Sequence, residues 1–94
     1  MDNSETGKRR VPLAALREGE SGTVVSILPS HGRGRGCGFV RRVMEMGLTP
    51  GARVTVVSSA PFHGPVEVLV RGSRLALGRG VAERIIVEVD EHNG

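Results

Sequence analysis

The candidate metal ligands of this sequence are three histidines and one cysteine, His31, Cys37, His63 and His92, together with the thioethers of Met44 and Met46. His31 and Cys37 share a glycine-rich stretch, and His63 lies in a proline-flanked loop that could approach them. Imidazole and thiolate groups suit a borderline divalent transition metal. No Cys-x-x-Cys or His-x-x-x-His spacing is present, so exposed loop histidines and a free thiol are the alternative. The sequence predicts at most a weak metal site at His31, Cys37 and His63, and no required cofactor.

Catalysis by side chains needs an assembled set: a nucleophile with its base, a pair of carboxylates, or a metal with an open position. The acidic residues are instead scattered over positions that should face outward on strands. The glycine-rich stretch 29–38 does not have dinucleotide-binding spacing. The one lysine, Lys8, lies far from it, which excludes a Walker-type phosphate loop. The sequence therefore predicts that this protein is not an enzyme.

The charge balance is basic, with a formal net charge of +3 carried almost entirely by arginine. Part of it is clustered, at Lys8, Arg9 and Arg10 and then at Arg33, Arg35, Arg41 and Arg42. Such clusters could attract nucleic acid, an anionic membrane surface or an acidic protein patch, or could be a solvated surface. Proteins that bind single strands stack bases on aromatic side chains, and this chain has no Trp, no Tyr and two Phe. We therefore expect no nucleic-acid partner.

Length and cysteine usage indicate one small intracellular domain. The 94 residues suit a single core, and one cysteine excludes an intramolecular disulfide framework. No apolar run is long enough to span a bilayer, and no secretory signal is visible. We expect a cytoplasmic protein without direct membrane insertion. Its predicted parts are a disordered basic tail over residues 1–10, one domain over residues 11–90 and a polar end over residues 91–94.

The centre of the chain carries the helix signal. Phe39, Val43 and Met46 are spaced i, i+4 and i+7, which predicts an amphipathic helix over about residues 39–46. Gly47 follows at the position where helices end in the left-handed region. Thr49–Ala52, with proline second and glycine third, suits a type II turn. A helix that stops sharply and leads into a strand is therefore expected.

Strands are predicted on both sides of this helix. Runs with apolar residues at alternate positions are 23–28, 53–58, 66–71, 75–77 and 85–89. Gly72-Ser73 between two of these runs predicts a type II′ hairpin, and residues 81–83 could form one helical turn. This order predicts a mainly β fold, a small five-stranded SH3-like barrel with one short helix between strands 1 and 2. An OB-type barrel is the structural alternative.

Several segments together carry a family resemblance. The most specific is Arg42–Gly51, and the others are Leu13–Gly22, Ala60–Val66, Leu75–Leu77, Ala82, Ile85 and Val87. Over residues 11–89 the chain resembles the FeoA family, small cytoplasmic SH3-like proteins that accompany the membrane ferrous-iron transporter FeoB. The same module resembles the C-terminal domain of iron-dependent repressors. Two features depart from the family pattern: Gly78 stands where an arginine usually follows Leu-Ala-Leu, with Arg79 next, and the Arg/Gly-rich loop 29–38 is long.

The resemblance implies a non-enzymatic accessory or regulatory protein of ferrous-iron uptake that docks to the cytoplasmic part of FeoB. Arg41 and Arg42 on the outer helix face would supply charge complementarity, unless they are only a solvated face. Phe62, between two prolines and next to His63, would be an apolar anchor, or else a cap on the barrel. A weakly bound metal would be Fe2+ or Zn2+. The alternatives are a transition-metal-responsive module like the repressor domain, and a nucleic-acid-binding barrel. The oligomeric state stays open.

Overall fold

An antiparallel sheet of six strands organises the residues that the computed structural model describes, which are 8–29, 36–60 and 64–90. The elements are β1 (Lys8–Pro12), a 3-10 helix (Leu13–Ala15), β2 (Ser21–Ile27), α1 (Gly36–Glu45), β3 (Arg53–Ser59), β4 (Val66–Val70), β5 (Ser73–Leu77), α2 (Arg79–Arg84) and β6 (Ile85–Asp90). The strand order is β1-β6-β2-β3-β4-β5. In the described ranges the sheet is open, with β1 and β5 at its two edges.

The mainly β prediction is confirmed, whereas the predicted five-stranded barrel differs from the observed sheet. The additional strand is β1, which lies beyond β6. It also changes the place of the helix, because α1 now follows the second strand and precedes the third. The two edge strands are not paired with each other in the described ranges, so the sheet does not close.

β1 forms at the end of the stretch that we predicted to be a disordered tail. It pairs antiparallel with β6, from Lys8 opposite Asp90 to Pro12 opposite Ile86. Charge and lack of periodicity suggested a tail, but an edge strand needs only main-chain partners, and charged side chains suit an edge. The tail prediction is therefore wrong for residues 8–10. Residues 1–7 and 91–94 lie outside the described ranges.

The core is made by alternate residues of the strands on one face of the sheet. Val54 and Val56 of β3 are fully buried, whereas Arg53 is exposed and Thr55 is half-buried. Burial of one such aliphatic side chain stabilises the fold by about 1.5–3 kcal/mol relative to exposure. The other buried aliphatic residues are Leu13, Leu16, Val24, Val43, Leu48, Ala52, Val66, Val68, Val70, Leu77, Ala82, Ile85, Val87 and Val89. The valine alternation seen in the sequence thus builds the core.

α1 ends as the sequence predicts, in a Schellman motif. Gly47 adopts a φ of 101°, and its N–H donates to the carbonyl of Met44 at 2.9 Å. The Leu48 N–H donates to the carbonyl of Val43 at 3.3 Å. Val43 and Leu48 are both buried, so the motif brings together the last core residue of the helix and the first core residue after it.

The predicted type II turn at Thr49–Ala52 is also present. The Ala52 N–H donates to the Thr49 carbonyl at 2.9 Å, and Gly51 has a φ of 96°. Val24 of β2 brackets this turn: its carbonyl accepts from the Gly51 N–H at 2.7 Å, and its N–H donates to the Ala52 carbonyl at 2.9 Å. The segment after α1 is therefore bonded to the middle of the sheet.

The β4–β5 hairpin differs from the prediction. Val70 lies opposite Ser73, so the two loop residues are Arg71 and Gly72 and not Gly72-Ser73. Their φ angles of 53° and 82° are both positive, which defines a type I′ turn in place of the predicted type II′ turn. The prediction was wrong because it assumed that only glycine would take the left-handed conformation, which Arg71 also adopts.

The predicted helical turn at residues 81–83 is confirmed as part of the longer α2. Its Ala82 is fully buried, and α2 packs against the 3-10 helix. No helix within the described residues is long and apolar enough to cross a membrane.

Candidate docking surface

The structure describes the side chains of some of the predicted contact and metal-binding residues, but not of all of them. Arg41 and Arg42 lie on α1. Cys37 belongs to the same helix, but its side chain is outside the described part. The others that fall outside it are His31, Phe62 and His63. Their roles stay predictions, and the geometry of the site is built from α1 and its neighbours.

α1 presents much of its circumference to solvent. Arg41 and Arg42 are exposed, and Val43 is the fully buried side chain that anchors the helix. Met44 and Met46 are 39% and 36% exposed. An exposed thioether chain adapts its shape to a partner surface. We refer to Arg41, Arg42, Met44 and Met46 as the α1 surface.

Arg71 extends this surface from the β4–β5 hairpin. Its Nη2 donates to Thr49 Oγ1 at 3.3 Å, and its Cδ lies 3.7 Å from where a Cβ on Gly47 would be. The side chain therefore lies beside the C-terminal end of α1, where the helix dipole favours a cation. The sequence analysis missed Arg71 because this contact joins residues 22 apart. The one local signal was an arginine before the hairpin glycine.

The arginines of the α1 surface and Arg71 have no carboxylate partner in the described part of the chain. Glu45, one turn after Arg41, forms no ion pair with it there. The ion pairs found in these ranges lie on the strands: Arg10–Glu88 at 3.6 Å and Arg74–Glu67 at 3.8 Å. No ion pair within the described ranges therefore holds these arginines, although the exposed Glu45 on the same helix lowers the net positive charge there. The remaining positive charge would complement an acidic partner.

Arg79 links the start of α2 to two other segments. Its Nη1 donates to the Ala14 carbonyl at 3.4 Å, and its Nη2 donates to the Ala60 carbonyl at 3.2 Å. Its Nε is buried without a hydrogen-bond partner among the residues described. The side chain fixes the chain at Ala60, just past the end of β3. This is a structural role for the arginine that stands one place later than the family pattern.

The described ranges contain no cluster of side chains that could ligate a metal ion. Within them, no three His, Cys, Asp or Glu side chains lie close enough together to hold a metal ion. The predicted ligands His31, Cys37 and His63 belong to parts that the structure leaves out of description, so the weak Fe2+ or Zn2+ site stays a prediction.

The six-stranded antiparallel sheet and its short helices define a small, mainly β domain. The family model for the FeoA domain matches residues 11–89. This match covers most of the chain, and the chain belongs to the FeoA family.

Curated relatives tie this family to ferrous iron. The putative Fe(2+) transport protein A of Methanocaldococcus jannaschii is 37% identical over 83 residues, which are 88% of this chain and 92% of that protein. A fusion of Fe(2+) transport protein A with the Fe(2+) transporter FeoB, from Porphyromonas gingivalis, is 33% identical over 81 residues. This region covers 86% of our chain and 9% of the fusion protein.

Solved structures share the fold. The crystal structure of an iron uptake regulatory protein, FeoA, has a TM-score of 0.70 and 38% identity, over 84% of this chain and 94% of that one. FeoA of Stenotrophomonas maltophilia complexed with zinc, a prokaryotic SH3 domain protein, has a TM-score of 0.69 and 27% identity, over 85% and 96%. A manganese-dependent transcriptional repressor has a TM-score of 0.71 and 26% identity, over 86% of this chain and 41% of the repressor. The fold therefore occurs both as a separate protein and as part of a regulator.

Proposed function

We propose that this chain is a non-enzymatic accessory protein of ferrous-iron uptake that docks, in the cytoplasm, to the cytoplasmic part of a FeoB-type transporter. The observation that carries the proposal is the fusion protein of Porphyromonas gingivalis, in which a region similar to this chain is continuous with FeoB. Linkage in one chain raises the effective concentration of two modules to roughly the millimolar range, so a weak contact suffices there. A separate chain needs a surface with affinity of its own.

The α1 surface is suited to that contact. It combines exposed methionine side chains with the positive charge of Arg41, Arg42 and the neighbouring Arg71. Methionine and arginine are both enriched at protein interfaces. We infer that an acidic patch of the transporter binds here. Phe62 and His63, proposed from the sequence, would add a second contact.

Charge reversal on α1 tests the docking. We expect Arg41→Glu and Arg42→Glu each to weaken binding to the purified cytoplasmic domain of FeoB by about three- to tenfold, because attraction becomes repulsion. Phe62→Ala should weaken it as well. The measurement is biolayer interferometry at low and moderate salt, and the affinity of the unaltered chain should fall as salt rises.

Arg10→Glu is the control of matched charge, because Arg10 lies on β1 at the far edge of the sheet. It also replaces the exposed Arg10–Glu88 ion pair by two facing carboxylates, so its fold is checked separately. It should leave binding almost unchanged, and circular dichroism should show all variants folded. No binding by the unaltered chain at low salt would contradict the docking proposal. If Arg10→Glu weakened binding as much as Arg41→Glu does, the assignment of the α1 surface as the docking site would be wrong.

A second candidate function is a transition-metal-responsive module. It is supported by the shared fold with a manganese-dependent transcriptional repressor and with a zinc-bound FeoA. On this proposal, Zn2+ or anaerobic Fe2+ should shift amide resonances around His31, Cys37 and His63. Cys37→Ser should reduce the shifts, and His92→Ala should not. Spectra that do not change on titration would rule out a direct metal response.

A further inference from the structure

The two edges of the sheet are protected to different degrees. β1 carries arginines and ends at Pro12, and charge and proline both discourage pairing with another strand. β5 has one charged side chain, Arg74, and no proline. Its register against β4 runs without a bulge, whereas the β2–β6 and β3–β4 pairs are both interrupted. β5 is thus a regular edge strand with little of the usual protection.

The hairpin loop determines which main-chain groups of β5 point away from β4. Val70 and Ser73 close a two-residue loop, so they exchange hydrogen bonds with each other, and every second residue of β5 continues this pattern. The N–H and C=O groups of Arg74 and Ala76 therefore point outward. Ser73, Arg74 and Ala76 are all exposed, and no strand of the described chain pairs with this edge.

We propose that two copies of this chain associate by antiparallel pairing of their β5 strands, with Arg74 opposite Ala76 of the partner subunit. In this register every outward-pointing main-chain group of the two strands is used, in two hydrogen-bonded pairs. A two-fold axis then passes between Leu75 and the partner's Leu75. A register with Arg74 directly opposite its own copy is disfavoured, because like charges would face each other.

Charge complementarity favours the same register. On the outer face of the sheet, Glu67 of β4 lies opposite Ala76 of β5. Across the joined sheets, Glu67 is followed by Ala76 and then by the partner's Arg74. Glu67 and the partner's Arg74 are two strand spacings apart, about 10 Å, and only the methyl group of Ala76 lies between them. Arg74 is 63% exposed in its ion pair with its own Glu67, so its long side chain can turn the other way.

Leu75 supplies the apolar part of the contact. It is only partly buried against the core, and the partner's Leu75 would cover the remainder. Pairing one five-residue strand from each copy buries much less surface than the roughly 800 Å² per partner that stable complexes bury. The dimer should therefore be weak and should form as concentration rises.

Sedimentation equilibrium from about 10 µM to about 1 mM tests the association. The weight-average mass should rise from that of the monomer towards twice that value. A mass that stays monomeric over this range overturns the proposal. The unaltered chain could stay monomeric while Ala76→Pro abolishes its binding to FeoB. In that case the β5 edge would bind the transporter, and self-pairing would be wrong.

A charge swap tests the register. Arg74→Glu alone and Glu67→Arg alone each place like charges across the contact, and each should weaken association by about tenfold. Mixing the two variants should restore association, because both contacts between the subunits again join opposite charges. Neither chain regains its internal ion pair in this mixture. Native mass spectrometry distinguishes the mixed dimer. A mixed dimer no stronger than the single variants would overturn this register.

The outward N–H of Ala76 offers an independent test. Ala76→Pro removes that donor without removing a hydrogen bond to β4, and it should abolish dimerisation. Ala76→Ser keeps the donor and should dimerise like the unaltered chain. Circular dichroism and urea unfolding check the fold of both. A folded Ala76→Pro that still dimerises contradicts the proposal, and should proline prevent folding, the charge swap decides.

Discussion

Left-handed backbone conformations in the described chain include one at the C-terminal end of α1 and one at the tip of the β4–β5 hairpin. Gly47 has a φ of 101°, and Arg71 has a φ of 53°. For a residue with a Cβ this region costs about 1–2 kcal/mol. At Arg71 the hydrogen bond to Thr49 and the nearby end of α1 offset part of that cost. At Gly47 the cost is avoided because the residue is glycine.

Gly47→Ala should therefore lower the free energy of unfolding by about 1–2 kcal/mol. The cost is backbone strain and not a clash, since the nearest atom, Arg71 Cδ, is at an ordinary 3.7 Å. Gly38→Ala in α1 is the matched control, because an added Cβ there meets nothing within 4 Å. It should raise stability by about 0.5–1 kcal/mol. Urea unfolding measures both, and equal effects would contradict the Schellman argument.

Local chemistry made some residues predictable and others not. Gly47 and Gly51 could be assigned from the sequence, because a helix stop and a Pro-Gly turn both need glycine in the left-handed region. The hairpin loop could not, since Gly72 fits either Arg71-Gly72 or Gly72-Ser73. Choosing between them requires the register of β4 against β5, which only the folded sheet provides.

At the scale of elements, β1 is the clearest departure from the sequence prediction. β3, β4 and β6 could be recognised because their apolar residues alternate, and each contributes a row of buried side chains. β1 has no such row, and Val11 is only partly buried. Its partner, β6, lies at the opposite end of the chain, so no local pattern could reveal the pairing.

Removal of β1 should destabilise the sheet. We expect a chain that begins at residue 13 to lose about 2–4 kcal/mol, from a few ladder hydrogen bonds at about 0.5–1.5 kcal/mol each. It should also aggregate more readily, because β6 becomes a bare edge. Urea unfolding and light scattering measure the two effects. A chain that begins at residue 8 keeps β1 and is the control, and equal stability of the two would argue against a structural role for this strand.

At the scale of the whole molecule, two surfaces of the described ranges are proposed as contact sites: the α1 surface and the β5 edge. Arg41 and Arg42 could be proposed from the sequence, because their charge and helical position are local properties. Arg71 could not, because it reaches α1 only after the hairpin has folded. The family could be inferred because its most specific segment is continuous in sequence, whereas the proposed docking surface combines segments that are distant in sequence.

The two hydrogen bonds by which Val24 holds the Gly51-Ala52 peptide region also set how α1 would respond to force. If α1 is the docking surface that we propose, a force on it would reach the sheet through both of these bonds. α1 would then be connected mechanically to the central strands of the sheet. A displacement of α1 would be transmitted to β2 and β3 instead of separating the helix from the sheet.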